Sequence, residues 1–236
     1  MSNLTGEART RYVRRMFGRI APRYDLLNRL MTFGFDRSWR VELIRRLDLP
    51  AAPQVLDLGA GTGDLAFETL KRRPAARLVA VDFTPEMLRI GQRRAGAERM
   101  QWVVADAARL PFAHAAFDAA VSGFLLRNVP EVDRVLSEEL RVLRPGGRVG
   151  SLDTTPPSRS WLRPFVSLHL HTVIPLLGRI FAGDPEAYTY LPQSTERFVE
   201  AGALAARMAA AGFRDVSFAR RMFGMIALHW GKRPAH

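Results

Sequence analysis

The sequence contains no cysteine among its 236 residues. Disulfide bonds, thiolate metal sites and cysteine nucleophiles are therefore excluded. It also lacks any run of about 18 uncharged apolar residues, which a membrane-spanning helix needs. The segment that comes nearest, residues 164–178, is too short and contains two histidines and two prolines. Because 47% of the residues are hydrophobic, we expect a single globular domain with a sizeable core.

Lysine is almost missing as well. Only Lys71 and Lys232 accompany 33 arginines, and the formal net charge is +12. Such an excess suits anionic partners, either nucleic acid or an acidic membrane surface. The arginines are scattered along the chain rather than massed in one arm. We therefore favour a general bias of composition, with attraction to membrane surfaces as its by-product, and expect no nucleic acid partner.

The first fifteen residues lack the apolar middle section of a secretory signal. The simplest expectation is a cytoplasmic protein. Peripheral contact with the inner face of the membrane stays open, and so does a homodimer.

Short apolar segments alternate with longer segments of helical periodicity from residue 54 onward. This alternation predicts an α/β fold: a Rossmann-like, doubly wound, mostly parallel sheet with helices on both faces. Residues 213–233 predict two further strands around a turn, which makes a seven-stranded sheet with one antiparallel edge strand. The other predicted strands are residues 54–58, 77–82, 101–106, 117–123 and 146–153.

A glycine-rich loop follows the first predicted strand, in the segment VLDLGAGTGDL of residues 55–65. Gly59, Gly61 and Gly63 alternate there, and glycine is costly in regular structure unless something must approach the backbone closely. Asp82 lies 19 residues after Gly63, at the end of the second strand. A carboxylate at that place can accept hydrogen bonds from both hydroxyls of a ribose. The pattern therefore predicts a nucleoside-containing ligand.

The residues around the loop favour a cationic ligand over a dinucleotide. Dinucleotide sites use the spacing G-x-G-x-x-G around a pyrophosphate, whereas here Asp57 and Asp64 flank the glycines. Acidic neighbours suit the sulfonium and ammonium groups of S-adenosylmethionine. Asp106, which ends the third strand and precedes Ala107, fits the same pocket as a partner for an adenine amino group. We predict S-adenosylmethionine as the cofactor, and no metal site.

Two classes of nucleic-acid methyltransferase do not fit the sequence. Enzymes that methylate C5 of pyrimidines generally attack through a cysteine, which this chain lacks. Exocyclic-amine methyltransferases have an Asn/Asp-Pro-Pro-aromatic motif after the fourth strand, where they grip a flipped base. Here that position reads SGFLLRNVP. A small apolar acceptor is the better hypothesis.

The chain resembles the C-methyltransferases of menaquinone and ubiquinone biosynthesis from about residue 12 to residue 233. The motifs that carry the resemblance are MFGRIAPRYDLLNRLMTFGFDRSWR, LDLGAGTGDLA, LLRNVPEVDRVLSEELRVLRPGGR and DPEAYTYLPQS. The chain departs from the family pattern at Gly59-Ala60-Gly61, where Ala-Gly-Gly is usual, and at Leu125, where a glycine is usual. The resemblance implies that the substrate is a demethylated prenyl quinol and the product its ring-methylated form.

The resemblance also implies site residues. On the acceptor side, Arg127 and Asn128 would hold the quinol oxygen, and Tyr24 and Asp25 would lie on a lid over the site. The general base stays open among Asp25, Tyr24, a water near Arg127, His171 and His229. The cofactor contacts that follow from the loop and the resemblance are Gly59, Gly61, Thr62, Gly63, Asp82, Asp106, Ala107 and Ser122.

Four parts of the domain can be distinguished: an N-terminal helical lid (1–50), a cofactor-binding core (51–153), a helical insertion on the substrate side (154–200), and a final helix with edge strands (201–236). Apolar side chains between residues 162 and 181 suit a prenyl tail or a membrane, although core packing is equally expected. The alternatives are a methyltransferase of another small apolar acceptor, one acting on nucleic acid, or a binding module without turnover.

Overall fold

In the computed structural model, which describes residues 6–156, 172 and 185–235, seven strands form one sheet in the order β3-β2-β1-β4-β5-β7-β6. β1 to β5 pair in parallel, and β7 runs antiparallel to both of its neighbours, β5 and β6. The strands are β1 (Gln54–Leu58), β2 (Arg77–Asp82), β3 (Met100–Val104), β4 (Phe117–Gly123), β5 (Leu143–Thr154), β6 (Arg214–Arg221) and β7 (Ile226–Lys232).

The predicted fold class is confirmed. The final hairpin lies at one edge of the sheet, as expected from residues 213–233. Its antiparallel member is β7, which lies one place in from the edge, so that β6 is the outermost strand.

Helices cover both faces of the sheet and precede it. They are α1 (Gly6–Ile20), α2 (Tyr24–Met31), α3 (Asp36–Arg46), α4 (Asp64–Arg72), α5 (Pro85–Gln92), α6 (Val132–Val142), α7 (Pro185–Arg197) and α8 (Ala201–Ala210). Thr84-Pro85 begins α5 as its sequence suggests. Asn128-Val129-Pro130, which also predicts a helix start, precedes α6 instead, and Leu126–Asn128 form a 3-10 turn.

Two clusters of buried side chains fill the two faces of the sheet. One joins β1 and β4 to α3 and α4, through Val55, Val121 and Leu43 among others. The second joins the opposite face to α6 and α8, through residues such as Leu56 and Leu204. β1 is buried on both faces, and its residues from Val55 to Leu58 are therefore apolar except for Asp57.

The N-terminal helices have a smaller core of their own, which includes Met16, Ile20, Leu27 and Met225. Met225 comes from the turn before β7, so this core ties α1 and α2 to the end of the sheet.

Most of the predicted insertion, including His171 and the apolar stretch of residues 162–181, lies outside the described residues. Within the part of the chain that is described, no helix is long and apolar enough to span a membrane. The same residues contain no group of three acidic or histidine side chains suited to a metal ion.

Candidate active site

The site lies where the strand order reverses. β1 has β2 on one side and β4 on the other, and the chain leaves all three at the same edge of the sheet. In open parallel sheets, ligands bind in the crevice beyond the carboxyl ends at this point. The glycine loop follows β1, Asp82 ends β2, and Phe124–Asn128 follow β4.

Backbone conformation and close packing both favour glycine at these three positions. All three have left-handed backbones, with φ of 61°, 58° and 86° for Gly59, Gly61 and Gly63. A Cβ at Gly59 would lie 2.7 Å from Leu125 Cδ1, so the loop packs closely against the segment after β4. A Cβ at Gly63 would lie 2.7 Å from Trp102 of β3, so this glycine lets the start of α4 pack closely against the Trp102 ring.

Asp82 holds the loop in shape. One of its carboxylate oxygens accepts the Gly61 N–H at 2.9 Å, and the other accepts the Thr84 N–H at 2.8 Å. Burial raises the pKa of Asp82 above its ordinary value, although these hydrogen bonds act in the opposite direction. Each oxygen keeps acceptor capacity for a ligand hydroxyl. The side chain therefore both braces the glycine loop and faces the cavities beside it.

Three adjoining cavities surround Gly59. The central cavity has an empty volume of about 360 Å³, the Asp106 cavity about 440 Å³ and the Asp57 cavity about 340 Å³, each including space open to solvent. The central cavity is lined by Phe17, Tyr24, Gly59, Gly61, Asp82, Phe83, Thr84, Met87, Gly123, Phe124, Leu125 and Asn128.

Asp57 is the most unusual group in the site. It is 1% exposed, its Oδ2 accepts the Ala66 N–H at 2.9 Å, and its Oδ1 has no hydrogen-bond partner. Burial raises its pKa to about 8. Because an unpaired buried carboxyl oxygen is costly, a cation in the Asp57 cavity would stabilise the site.

The remaining predicted cofactor residues are placed differently from one another. Asp106 and Ala107 line the Asp106 cavity, and Asp106 accepts the Ala108 N–H at 2.9 Å. Thr62 lines the Asp57 cavity. Ser122 is fully buried within β4, its hydroxyl has no partner, and it lines none of the three cavities. Gly63 also lies outside them. All of these cofactor assignments stay predictions.

The helix α2 reaches over the glycine loop. The Thr62 hydroxyl donates to Asp25 at 2.6 Å, and Tyr24 lines both the central and the Asp57 cavity. Burial raises the pKa of Tyr24, although the nearby Arg127 charge and Asn28 lower it, so its phenol is neutral near pH 7. Burial also raises the pKa of Asp25, against the effect of the Thr62 hydrogen bond.

Two arginines pair with Asp64 at the start of α4, and one of them comes from the N-terminal helix α3. Arg94 pairs with Asp64 at 2.7 Å and donates to the Thr62 carbonyl at 2.9 Å. The buried Arg40 of α3 lies 3.4 Å from Asp64 and also pairs with Asp36. Burial alone would raise the pKa of Asp64, but Arg40 and Arg94 hold it below its ordinary value. Asp64 is therefore already neutralised within the protein, unlike Asp57.

Arg127 is buried in an ion pair. Its Nη1 donates to Asp153 Oδ1 at 2.6 Å, its backbone N–H donates to the same carboxylate at 3.2 Å, and its carbonyl accepts from Arg9 at 2.8 Å. It lines none of the three cavities, but its Nε has no partner. The guanidinium lies over the Phe124 ring at 5.1 Å. Leu125, where a glycine is usual in the family, is buried and lines the central cavity.

Asn128 lines both the central and the Asp106 cavity. Its amide donates to the Phe124 carbonyl at 2.8 Å, and its Oδ1 lies 3.2 Å from the Tyr190 hydroxyl of α7. His229, a candidate base, lies in β7 against the Ala201 carbonyl at 2.9 Å and lines none of the three cavities. Burial lowers the pKa of His229, so its ring is neutral near pH 7.

The comparison with family models decides the identity. The model of the ubiE/COQ5 methyltransferase family matches residues 5–233. The chain belongs to this family. The resemblance seen in its motifs is thereby confirmed, and the enzyme is an S-adenosylmethionine-dependent methyltransferase.

Named relatives agree with this assignment. The chain is 45% identical over 219 residues to the ubiquinone/menaquinone biosynthesis C-methyltransferase UbiE of Desulfotalea psychrophila, covering 93% of this chain and 89% of that protein. It is 45% identical over 222 residues to the demethylmenaquinone methyltransferase of Thermus thermophilus, covering 93% of this chain and all of that protein.

Solved structures support the fold. Phosphoethanolamine N-methyltransferase 2 of Haemonchus contortus, bound to S-adenosylhomocysteine, superposes with a TM-score of 0.64 at 15% identity, over 84% of this chain and 52% of that one. The [4+2]-cyclase SpnF superposes with a TM-score of 0.62 at 20% identity, over 85% and 81%. Because a cyclase shares this fold, the shape alone does not assign the reaction.

Sequence reasoning missed three residues of the site: Asp153, Tyr190 and Arg40. Asp153 ends the predicted strand 146–153 and lies one residue before the end of β5, and that position was a usable signal. Tyr190 lies in the family-like segment DPEAYTYLPQS, but its contact with Asn128 joins residues 62 positions apart. Arg40 carries no local signal, since it reaches Asp64 from a separate helix.

Proposed function

We propose that the enzyme methylates a ring carbon of a prenylated quinol, either demethylmenaquinol or the benzoquinol of the ubiquinone pathway. One observation carries the proposal: the central cavity brings Tyr24 and Asn128 of the acceptor side against Gly61 and Asp82 of the cofactor side. Relatives whose names include both quinone pathways support C-methylation in quinone biosynthesis.

The residues of the glycine loop fit S-adenosylmethionine. The cofactor's ammonium would pair with Asp57, whose unpaired oxygen adjoins the Asp57 cavity. Asp82 would accept the ribose hydroxyls, and Asp106 with Ala107 would hold the adenine in the Asp106 cavity. When bound, S-adenosylmethionine supplies an electrophilic methyl group on a sulfonium.

The acceptor needs activation by its own hydroxyl. A ring carbon becomes nucleophilic when the neighbouring quinol oxygen loses its proton, and the carbon later releases its hydrogen as a proton to restore the aromatic ring. Asn128 and the neutral Tyr24 phenol are placed to bind that oxygen in the central cavity. The Arg127 charge acts on it from behind, because it already lowers the pKa of Tyr24. Asp25 is the acidic side chain of α2 nearest the loop, and we keep it as the candidate base.

Several finer points belong to the same proposal. The enzyme works in the cytoplasm, in peripheral contact with the inner face of the membrane that carries the prenylated substrate. Nucleic acid is not a substrate. A homodimer is compatible with the described residues.

The test is transfer of labelled methyl from S-adenosylmethionine to purified demethylmenaquinol and, separately, to the ubiquinone precursor, both in detergent. Asp82→Ala and Arg127→Ala serve as variants, and calorimetry reports cofactor binding in each. We expect label in a quinol, lost in both variants, with cofactor binding lost only in Asp82→Ala. Intact cofactor binding without label in either quinol would overturn the proposal and favour another apolar acceptor.

A further inference from the structure

Two turns of the protein hold an exposed phenylalanine in a left-handed backbone, directly before a glycine. One follows α2, with Phe33 at φ 52° and Gly34 at φ 75°; the other precedes β7, with Phe223 at φ 54° and Gly224 at φ 85°. Both phenylalanines are 65% exposed. Bulky side chains rarely adopt this conformation, and such strain persists where something other than local stability selects it.

The turn after α2 shows most plainly that phenylalanine occupies a position where glycine is usual. The Gly34 N–H donates to the Arg29 carbonyl at 2.8 Å and the Phe33 N–H to the Leu30 carbonyl at 3.3 Å. This is the Schellman pattern of a helix end, in which the left-handed residue is usually glycine. Here phenylalanine takes that place, and the glycine comes one residue later.

The two turns are neighbours. Met222, beside Phe223, packs against the small core that contains Leu27 and Met31 of α2. Arg221 pairs with Glu42 of α3 at 2.8 Å. The same N-terminal segment also exposes Phe35, at 58%, and Leu26, at 52%. We call this set, Leu26, Phe33, Phe35 and Phe223, the aromatic face.

The charge around the aromatic face is positive. Residues 1–50 contain eleven arginines and five acidic side chains, an excess that makes up half of the net +12. Among the described residues, Asp36 and Glu42 are already paired with arginines, whereas the exposed Arg37 and Arg45 have no acidic partner. Exposed aromatic side chains and a net positive charge in the same part of the chain match the interface of an anionic bilayer, with apolar acyl chains beneath negative headgroups.

We propose that the aromatic face docks the enzyme onto anionic phospholipid bilayers. This inference deepens the proposed function, on which it rests for its purpose. Helix α2 has Leu26 exposed to solvent, while Tyr24 lines the central cavity. Docking through this face would bring the central cavity beside the membrane that holds a prenylated substrate.

The test is cosedimentation with vesicles that contain neither quinone nor S-adenosylmethionine. The wild type, the double variant Phe35→Ser/Phe223→Asn and the control Val104→Ser are compared on phosphatidylcholine vesicles with and without phosphatidylglycerol. Asparagine tolerates the left-handed conformation, so the fold is kept. Val104 is 56% exposed but lies on β3, at the opposite edge of the sheet from β6.

We expect binding that requires phosphatidylglycerol, weakened roughly tenfold or more in the double variant and unchanged in Val104→Ser. Arg37→Gln and Arg45→Gln should each weaken it about fivefold. The proposal would be overturned if the wild type and the double variant bound vesicles equally. It would also be overturned if the double variant lost self-association while its vesicle binding stayed unchanged. Methyl transfer to quinol in detergent, measured on the same preparations, separates this outcome from a failure of the proposed function.

Discussion

The cofactor half and the acceptor half of the site are built in different ways. The cofactor half consists of backbone and carboxylates at the ends of neighbouring parallel strands, so the sheet itself fixes their positions. The acceptor half is assembled from side chains of α2, α7 and the turn after β4, which are far apart in the sequence. A conserved architecture can thus keep one half while different helices supply the other.

The halves also differ in how they handle buried charge. In the cofactor half, the buried Asp57 keeps one oxygen without a hydrogen-bond partner. In the acceptor half, Arg127 already has the Asp153 carboxylate as its counter-ion. The first arrangement leaves a carboxyl group available to a cationic ligand, whereas the second is an ion pair that is complete within the protein.

The largest expected effect comes from breaking the ion pair of the acceptor half. Arg127→Met leaves the buried Asp153 carboxylate without a counter-ion, and removing one member of such a pair costs about 3–5 kcal/mol. We expect that loss in the free energy of unfolding, measured by urea denaturation. The double variant Arg127→Met/Asp153→Asn should recover most of the stability.

Activity of the double variant then separates two roles of Arg127. If its field stabilises the quinol oxyanion, the double variant is stable and binds cofactor, yet transfers methyl slowly. Full activity in the double variant would show that Arg127 is structural only, and the contrast between the two halves would lose its chemical meaning.

A smaller effect is expected from Asp82→Asn in the cofactor half. The amide keeps the size of the carboxylate but removes its charge and one acceptor. A hydrogen bond to a charged group contributes about 1.5–3 kcal/mol. We expect S-adenosylmethionine affinity to fall roughly tenfold to a hundredfold by calorimetry. Asp118→Asn, on β4 and paired with Arg144 away from the cavities, is the matched control. An unchanged affinity in Asp82→Asn would remove Asp82 from the cofactor site.

The same contrast explains what the sequence could predict. The sheet, the glycine loop, Asp82 and Asp106 follow from apolar periodicity and from the ends of strands, which are local signals. The pairing of Arg127 with Asp153, and of Asn128 with Tyr190, depends on tertiary packing between distant segments. Ser122 has a suitable position in the chain, but its side chain points into the packed interior instead of a cavity.

Asp57 and Glu139 test the difference between a functional and a structural buried carboxyl. Burial raises the pKa of each to about 8, and Glu139 of α6 has both oxygens unpaired. The folded protein therefore holds protons that the unfolded chain releases near pH 4 to 5. Each group makes the free energy of unfolding fall by about 1.4 kcal/mol per pH unit as the pH rises from the unfolded pKa toward the folded pKa of about 8.

Glu139→Gln should remove the part of this pH dependence of the free energy of unfolding that Glu139 contributes, without changing cofactor affinity at any pH. Asp57 behaves differently, because a bound ammonium favours its charged form. We expect affinity for S-adenosylmethionine to rise with pH between about 5.5 and 7.5, by up to about tenfold per unit, and this rise to vanish in Asp57→Asn. Calorimetric titrations across this range measure both; a rise that persists in Asp57→Asn would assign the effect to another group.

The smallest effect concerns the contact where the halves meet. The Thr62 hydroxyl donates to Asp25 at 2.6 Å, and Arg94 lies 3.9 Å from the same carboxylate, so α2 is fastened to the glycine loop at a partly exposed point. Thr62→Val removes the hydrogen bond but keeps the side-chain shape, at a cost of about 1 kcal/mol. Because α2 covers the loop, we expect cofactor release to accelerate about fivefold in stopped-flow measurements, with little change in protein stability. Release at the wild-type rate would mean that the two halves move independently, and that the lid formed by α2 does not control access to the glycine loop.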